Sequence, residues 1–320
     1  MSDTNRYTGM PLRHSVGGSQ EDVTAEVRSF YEAIQFPGTR PMEQDSLVFL
    51  RKFDRLVTAM RKDGRDVRVL DAGCGTGNTT LSLAAQFPAV TFTGVDLSGS
   101  SIERAKCGVA AHGLWNAEFY RWNLLHPLRH EKPFDIILCF GALHHTADMH
   151  TALGNISAVL GDEGSMFLWV YGAYGRYRHV LNMELLAMLL GADPTDDAVA
   201  VAREFIQAAG DNMAARDLLG ERSADPLLRT FFEDATWIAD QFLNPNEYSL
   251  TFRVILALLQ SSGLNMEEWI GAPKDISVLL RSDELRRRYY LMSSDEQLIA
   301  CDLLLKPDRY FLMLGKKSGG

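Results

Sequence analysis

The most informative segment of the sequence is Val67-Arg68-Val69-Leu70-Asp71-Ala72-Gly73-Cys74-Gly75-Thr76-Gly77-Asn78. Its first residues are apolar and partly β-branched, as a buried parallel strand requires. The glycines that follow at alternate positions lack a Cβ, so they allow a sharp backbone turn and a close approach to a ligand. The pattern therefore predicts a strand, a glycine-rich turn and an amphipathic helix over residues 79–87, whose free N–H groups face the turn.

A second predicted strand, Val90–Asp96, ends in a carboxylate. An acid about 20 residues past such glycines can accept hydrogen bonds from two ribose hydroxyls. A dinucleotide fingerprint starting at Gly73 would need a glycine at 78, where the chain has Asn78, and a phosphate-binding loop would need a lysine that this turn lacks. The sequence therefore predicts a nucleoside site with the spacing D-x-G-x-G-x-G.

This spacing resembles motif I of the class I S-adenosylmethionine-dependent methyltransferases, and Asp96 matches the ribose-binding acid of that family. The resemblance covers residues 45–175 well and the rest loosely. It implies an α/β, Rossmann-like fold: a seven-stranded, mostly parallel sheet with an antiparallel last strand, an N-terminal helical lid and a helical cap insertion. The implied cofactor is S-adenosyl-L-methionine, which leaves S-adenosyl-L-homocysteine as product.

The resemblance also assigns the cofactor residues to the turn and to the strand ends. Members of the family often carry an Asp at the end of the third strand, where this chain has Asn123 after Trp122. An Asn side chain can accept from the adenine amino group and donate to a ring nitrogen, and a Trp ring can pack on adenine or belong to the core. The predicted cofactor-binding residues are Asp71, Gly73, Cys74, Gly75, Gly77, Asn78, Asp96, Leu97, Trp122, Asn123, Phe140 and Gly141.

The candidates for the acceptor site follow the fourth and fifth predicted strands, because catalytic groups in open α/β sheets lie at the carboxyl ends of strands. Imidazoles titrate near neutral pH and suit a general base, although a histidine here could instead cap the next helix. Tyrosines could surround a cationic or planar acceptor, an Arg could hold a carboxylate, or these side chains could simply pack the insertion onto the sheet. The predicted catalytic residues are His144, His145 and Tyr174, and the predicted substrate residues are Tyr31, Tyr171, Arg176 and Tyr177, with Asp240 and Asn244 as further candidates. No histidine or carboxylate spacing indicates a metal site.

Helical periodicity and turn residues divide the chain into four parts. We predict an N-terminal tail and helical lid over 1–45, a cofactor-binding core over 46–171, a helical cap insertion over 172–248, and the C-terminal part of the core over 249–320. Residues 1–18 are polar and are expected to be disordered or loosely attached. Phe30, Tyr31 and Phe36 are candidates to cover the cofactor and substrate, with packing onto the core as the alternative. Within the cap, helices are predicted over 180–190, 198–209, 213–219 and 226–242. Outside it, a turn is predicted at 161–164 and a helix over 284–299.

Composition limits the classes of function. The 320 residues are 46% hydrophobic and 23% charged, with a formal net charge of −9. These are globular values, and the acidic balance disfavours nucleic acid as partner. No apolar run reaches the ~18 residues of a membrane span, and the N-terminus lacks a signal core, so a cytoplasmic location without membrane contact is expected. The four cysteines form no C-x-x-C pair, which disfavours disulfides and structural zinc.

The sequence leaves the acceptor open. Transfer of a methyl group from a sulfonium is an in-line displacement that depends mainly on alignment, so a catalytic triad is not required. A small molecule held under the helical cap is the first hypothesis. A peptide side chain is the second, and a non-catalytic protein that binds the cofactor or its demethylated product is the third. A homodimer through the apolar insertion is a further possibility.

Overall fold

The computed structural model describes residues 12–15, 17–37, 45–191, 197–209, 230–273 and 275–317. The strands are β1 (Leu12–Ser15), β2 (Arg68–Ala72), β3 (Thr91–Asp96), β4 (Ala117–Arg121), β5 (Phe134–Phe140), β6 (Leu160–Tyr171), β7 (Asn246–Ser249), β8 (Leu264–Trp269) and β9 (Arg309–Lys316). The helices are α1 (Gln20–Ile34), α2 (Asp45–Lys62), α3 (Asn78–Gln86), α4 (Gly99–His112), α5 (Met149–Ala158), α6 (Ala173–Leu190), α7 (Ala198–Ala209), α8 (Ala235–Phe242), α9 (Phe252–Ser261), α10 (Asp283–Tyr290) and α11 (Ser294–Leu305).

The seven-stranded sheet has the order β4-β3-β2-β5-β6-β9-β8. Strands β2 to β6 of this sheet pair in parallel, and β9 is antiparallel to both of its neighbours. This is the α/β, Rossmann-like sheet with an antiparallel last strand that the sequence predicts. Because the parallel strands all end at one edge, their C-terminal residues meet there.

The sheet separates two apolar cores. Along β2, Val69 packs with Phe53 and Phe92 on one face, and Leu70 packs with Ile137 and Leu153 on the other. Consecutive residues of a strand point to opposite faces, which explains why both are fully buried. The near-continuous apolar run that defines β2 in the sequence is therefore the consequence of helices covering both faces.

The structure corrects the sequence prediction at three places. Residues 12–15, expected to be disordered or loosely attached, form β1, which pairs antiparallel with β7. The turn expected at 161–164 lies inside β6, which begins at Leu160. The single helix expected over 284–299 is two helices, α10 and α11, because Ser293 caps the N-terminus of α11 with a capping box. Each difference depends on pairing or capping partners that local periodicity does not report.

The segment predicted as a cap contains α6, α7 and α8. Helix α7 has the predicted bounds, and α6 begins seven residues before the expected 180. Leu186, Ala202, Ile206, Ile238 and Phe242 form a separate apolar cluster that joins the three helices. The helix expected over 213–219 and the first residues of the one over 226–242 lie outside the described residues.

No helix in the described part of the chain has the length and apolarity needed to cross a membrane.

Candidate functional site

A cavity of about 160 Å³ lies at the C-terminal ends of β2, β3 and β5. It extends from the glycine-rich turn after β2 to the loop after β5, and α1 covers it. Nine of the predicted cofactor residues line it: Asp71, Gly73, Cys74, Gly75, Asp96, Leu97, Asn123, Phe140 and Gly141. The structure thus brings together side chains that are up to 70 positions apart in the sequence (141 minus 71).

The glycines of the turn are required by packing within the protein. Gly73 has a φ of 83°, and a Cβ there would lie 2.2 Å from the Cβ of Ala142. Gly75 has a φ of 53°, and a Cβ there would lie 2.4 Å from the carbonyl oxygen of Phe36. Any larger residue at either position would therefore be strained and would collide with the chain that closes the cavity.

Asp96, at the tip of β3, organises this end of the cavity. Its two carboxylate oxygens accept hydrogen bonds from the backbone N–H groups of Gly75 (2.8 Å) and Ser98 (2.9 Å). Burial raises the pKa of Asp96, and these backbone hydrogen bonds oppose that rise. Each carboxylate oxygen has a second lone pair, so the side chain can also accept from ribose hydroxyls.

Asp71 is a second buried carboxylate in the cavity wall. Its Oδ2 accepts a hydrogen bond from the hydroxyl of Thr80 at 2.6 Å. Burial raises the pKa of Asp71 to about 7, with the nearby charge of Asp96 adding to the effect. Asp71 therefore changes its charge near neutral pH, unlike an ordinary carboxylate.

The structure separates the two residues predicted at the adenine. Asn123 lines the cavity, and its Oδ1 accepts from the N–H of Leu125 at 3.0 Å, which leaves the side-chain N–H₂ available as a donor. Trp122 is not among the lining residues: its Nε1 donates to the carbonyl of His126, and its ring packs against the core. Both residues follow the last residue of β4, Arg121, and of the two only Asn123 lines the cavity, so the structure does not place the Trp122 ring where the prediction puts adenine.

Gly77 and Asn78 also lie outside the cavity lining. Gly77 is the N-cap of α3 with a φ of 81°, and Asn78 is the first residue of that helix. A Cβ at Gly77 would lie 2.9 Å from both Ala105 and Phe119. Both residues therefore shape the start of α3, which in turn holds Thr79 in the cavity wall.

Helix α1 is held over the cavity by hydrogen bonds to α4 and to the glycine turn. The carboxylate of Glu32 accepts from the N–H groups of Gly99 and Ser100, both at 2.7 Å, at the N-terminus of α4. The carbonyl of Phe36 accepts from the N–H of Thr76 at 3.2 Å. Tyr31 and Phe36, two of the predicted lid aromatics, line the cavity, whereas Phe30 only contacts the Tyr31 ring edge-on.

At the other end of the cavity, Tyr31 of α1 lies beside the loop after β5. The ring centroids of Tyr31 and His145 are 6.1 Å apart. Burial lowers the pKa of His145 to about 4, so its imidazole is neutral at physiological pH. His145, Thr146 and Ala147 line the cavity together with Leu124 and Leu125.

Three of the predicted acceptor-site residues lie away from the cavity lining. Arg176 is 5% exposed and forms a paired hydrogen bond with the carboxylate of Glu247, which is 1% exposed, so its charge is already matched inside the protein. The guanidinium also stacks on the ring of Tyr171 at 3.5 Å. Tyr177 is half exposed on α6. None of the three lines the cavity.

His144 and Tyr174, both predicted to be catalytic, also lie outside the lining. The His144 ring is fully buried against the rings of His145 and Tyr171, at 4.2 and 4.1 Å between centroids. Neither of its nitrogens has a hydrogen-bond partner among the described residues, and burial lowers its pKa well below the usual value. Tyr174 follows β6 at the start of α6, close enough to Tyr310 to influence its pKa. Of the predicted catalytic residues, the structure therefore brings only His145 to the cavity.

Several lining residues were not predicted from the sequence. Thr24 and Val27 precede Tyr31 on α1 by seven and four residues, so that all three share one face of the helix. That spacing is the sequence signal that could have identified them. Ser101, Thr79, Ala142 and Pro37 carry no such signal, because only the packing of distant segments brings them to the cavity.

A metal site would need several clustered His, Cys, Asp or Glu side chains in the part of the chain that the structure describes. No group of three His, Cys, Asp or Glu side chains there is arranged to hold a metal ion.

Comparison with known proteins agrees with this geometry. Residues 70–166 match a family model described as a methyltransferase domain. The tRNA 5-carboxymethoxyuridine methyltransferase of Escherichia coli K12 is 29% identical over 203 residues, which cover 62% of this chain and 70% of the relative. An uncharacterized protein of Synechococcus is 28% identical over 246 residues, which cover 74% of this chain and 57% of the relative.

A solved structure shares the overall fold. PKMT2 from Rickettsia typhi in complex with AdoHcy has a TM-score of 0.59 at 17% identity, over 93% of this chain and 54% of that one. The chain thus spans about half the length of this structure and of the Synechococcus relative.

The sheet order and the glycine turn with its facing acid are those of the class I S-adenosylmethionine-dependent methyltransferases. Residues 70–166, which match the family model, are therefore a methyltransferase domain of this class, and S-adenosylmethionine is the cofactor of that class.

Proposed function

We propose that this protein transfers a methyl group from S-adenosylmethionine to a small-molecule acceptor by in-line displacement. The observation that carries the proposal is the single cavity that runs from Asp96 and the glycine turn to His145 and Tyr31 under α1. A bound S-adenosylmethionine supplies a methyl carbon already activated by the positive sulfur. The protein then has to hold the acceptor in line with it, and such alignment is worth effective molarities of up to ~10⁵–10⁸ M.

The lining residues fit the parts of the cofactor. Asp96 can accept from the ribose hydroxyls, and the free N–H₂ of Asn123 can donate to an adenine ring nitrogen. The glycine turn leaves space beside Gly73 and Gly75 for the nucleoside. The acceptor would then contact the end formed by Tyr31, His145 and Thr146, with α8 behind Tyr31.

The cover over the cavity favours a small molecule. Helix α1 is fixed by Glu32 and by Phe36, and a covered cavity suits a small ligand better than a peptide chain, which needs an open groove. We propose that the helices of residues 172–248 act as a cap over the same end, since Asp240 and Asn244 hydrogen-bond to Tyr31.

Asp96→Ala tests the cofactor site. Loss of the acceptor for two hydroxyls should weaken AdoHcy binding at least 10-fold, from ~1.5–3 kcal/mol for hydrogen bonds to a charged group. Isothermal titration calorimetry measures the change, with Asp54→Ala, an exposed acid on α2, as the matched control. Unchanged affinity in Asp96→Ala would remove this residue from the site.

The acceptor class is tested with methyl-labelled S-adenosylmethionine and an extract of the source organism, separated by molecular mass. We expect the label in the low-mass fraction. Label in protein would support peptide methylation instead. AdoHcy binding without any transfer would support a non-catalytic binding protein.

A further inference from the structure

Tyr31 faces the cavity, and its hydroxyl proton is already used in a hydrogen bond within the protein. Its hydroxyl donates to Oδ1 of Asp240 at 2.9 Å and accepts from the side-chain N–H₂ of Asn244 at 2.8 Å. The orientation of that amide is fixed, because the Oδ1 of Asn244 accepts from the N–H of Asn246. The other carboxylate oxygen of Asp240 accepts from Gln241 at 2.9 Å. The Tyr31 oxygen is therefore left with one lone pair.

The two polar side chains opposite Tyr31, those of His145 and Thr146, also donate their protons to hydrogen bonds within the protein. Nδ1 of His145 lies 2.9 Å from the carbonyl oxygen of Asn246, so it must carry the proton, and Nε2 of the neutral ring has a lone pair. The hydroxyl of Thr146 donates to the carbonyl of Leu143 at 2.7 Å. Three side chains at one end of the cavity can thus accept a hydrogen bond but have no proton left to donate.

We propose that the methyl acceptor is a hydrogen-bond donor, an alcohol, a phenol or an amine, and that Tyr31, held by Asp240 and Asn244, receives its hydrogen bond. The proposal rests on the methyltransferase function proposed above. A carboxylate offers only lone pairs, so it would face three further lone pairs at this end. The nearby Arg176 cannot compensate, because it is paired with Glu247.

The same arrangement provides a path for the acceptor's proton. As the acceptor oxygen or nitrogen forms its bond to the methyl carbon, the carbon–sulfur bond breaks and its electron pair stays on sulfur. The O–H or N–H proton passes to the Tyr31 oxygen, while the Tyr31 proton passes to Asp240. The positive charge of the donor and the negative charge of Asp240 disappear together, so the products are neutral.

The charges around Asp240 are consistent with this role. Burial raises its pKa to about 6, so it is ionised at neutral pH but holds a proton more readily than an exposed carboxylate. Burial and the charge of Asp240 raise the pKa of Tyr31, which keeps the phenol protonated. The groups that face Asp240 from neighbouring elements are Tyr31 on α1, Tyr171 on β6, Arg176 on α6 and Glu247 on β7.

Binding of two cofactor analogues tests the proposal without a known acceptor. Sinefungin carries an ammonium group, a hydrogen-bond donor, in place of the transferable methyl, and AdoHcy has no group there. We expect calorimetry to show sinefungin binding about 10-fold more tightly than AdoHcy, and this ratio to fall about fivefold or more in Tyr31→Phe and in Asp240→Asn, from the loss of a hydrogen bond to a charged group. Tyr120→Phe, an exposed tyrosine on β4, is the matched control.

The outcomes separate the two proposals. If AdoHcy itself does not bind the wild-type protein, the methyltransferase function fails. If AdoHcy binds with similar strength to all variants and the ratio is the same in Tyr31→Phe, Asp240→Asn and the control, the role of Tyr31 is overturned. Because AdoHcy binding reports on folding, a variant that fails to fold is recognised and the other variant decides.

The chemistry of the labelled product gives a second test. Methyl ethers and N-methylamines survive treatment with base, whereas methyl esters release volatile methanol. We expect the low-mass product to keep its label in base. Release of labelled methanol would show that the acceptor is a carboxylate and would overturn the proposal.

Discussion

Asp96 and Asp71, two buried carboxylates in the same cavity wall, differ in the hydrogen bonds that stabilise their negative charges. Asp96 accepts hydrogen bonds from backbone N–H groups, including those of Gly75 and Ser98, whereas Asp71 accepts from the hydroxyl of Thr80. Hydrogen bonds to the ionised form lower a pKa and burial raises it. The pKa of Asp71 accordingly reaches about 7, and its ionised form is a cost to the folded state at neutral pH.

The substitution Asp71→Asn should remove that cost. Because the folded-state pKa is raised, the carboxylate stabilises the fold least above pH 7, and wild-type stability should fall as pH rises from about 4 to about 7. In the variant, the free energy of unfolding should decline less over this pH range. The difference from the wild type should be a few kcal/mol at most, because a change of one pKa unit corresponds to ~1.4 kcal/mol. Urea denaturation at pH 5 and pH 8 measures it, with Asp54→Asn as control. Identical pH dependence in Asp71→Asn and wild type would contradict the assignment.

At the scale of elements, α1 depends on α4 for its position. The carboxylate of Glu32 caps the N-terminus of α4, where N–H groups and the helix dipole favour a negative charge. Burial alone would raise the pKa of Glu32, but the hydrogen bonds from Ser100 and Gly99 outweigh it and lower the pKa. Helix α1, which covers the cavity, is therefore held by hydrogen bonds from the N-terminus of α4 to the charged carboxylate of Glu32.

Glu32→Gln should loosen α1 while leaving the core intact. A neutral amide accepts weaker hydrogen bonds and loses the dipole interaction, which together contribute ~1 kcal/mol. Hydrogen–deuterium exchange of residues 20–34 should become several-fold faster, while the exchange of β2 and β5 stays unchanged. The exposed Glu26 on the same helix supplies the control variant Glu26→Gln. Equal exchange in the two variants would show that Glu32 does not hold the helix.

The same contact predicts a pH effect with a definite sign. Because the folded-state pKa of Glu32 is lowered from 4.5, its stabilising contribution is complete above that value and is lost as pH falls below it. The protection of the α1 amides, measured relative to the intrinsic exchange rate at each pH, should therefore fall at acidic pH in the wild type, and Glu32→Gln should lack that fall. An identical acid response in both proteins would contradict this.

At the scale of the whole molecule, a buried ion pair joins the two ends of the segment predicted as the cap. Arg176 of α6 and Glu247 of β7 are almost fully buried, and β7 in turn pairs with β1 near the N-terminus. Removing one partner of such a pair leaves a buried charge without compensation. The pair therefore links three distant parts of the chain.

Arg176→Ala should destabilise the protein strongly, by ~3–5 kcal/mol, since Glu247 would remain buried and unpaired. Chemical denaturation gives the change in the free energy of unfolding. Lys106→Ala breaks an exposed ion pair with Glu103 and should have a much smaller effect. A comparable loss in the two variants would show that burial of the Arg176–Glu247 pair does not determine its contribution.

Local sequence pattern was enough to predict the fold class and most of the residues around the glycine turn that line the cavity. Strand, glycines, helix and acid lie within one continuous βαβ unit, so that local pattern and short spacing fix their geometry, from Asp71 to Asp96. The ends of the parallel strands necessarily meet, which also brought Asn123, Phe140 and Gly141 to the cavity.

The residues at the Tyr31–His145 end of the cavity could be identified only from the folded chain. The local sequence pattern does not indicate which way a side chain points after the end of a strand. It could not show that Asn123 and His145 line the cavity while their neighbours Trp122 and His144 do not. Nor can it report partners far along the chain. Arg176 is matched by Glu247, and Tyr31 is held by Asp240, 209 residues away. The hydrogen-bonding capacity left to each group depends on those partners, which only packing brings together.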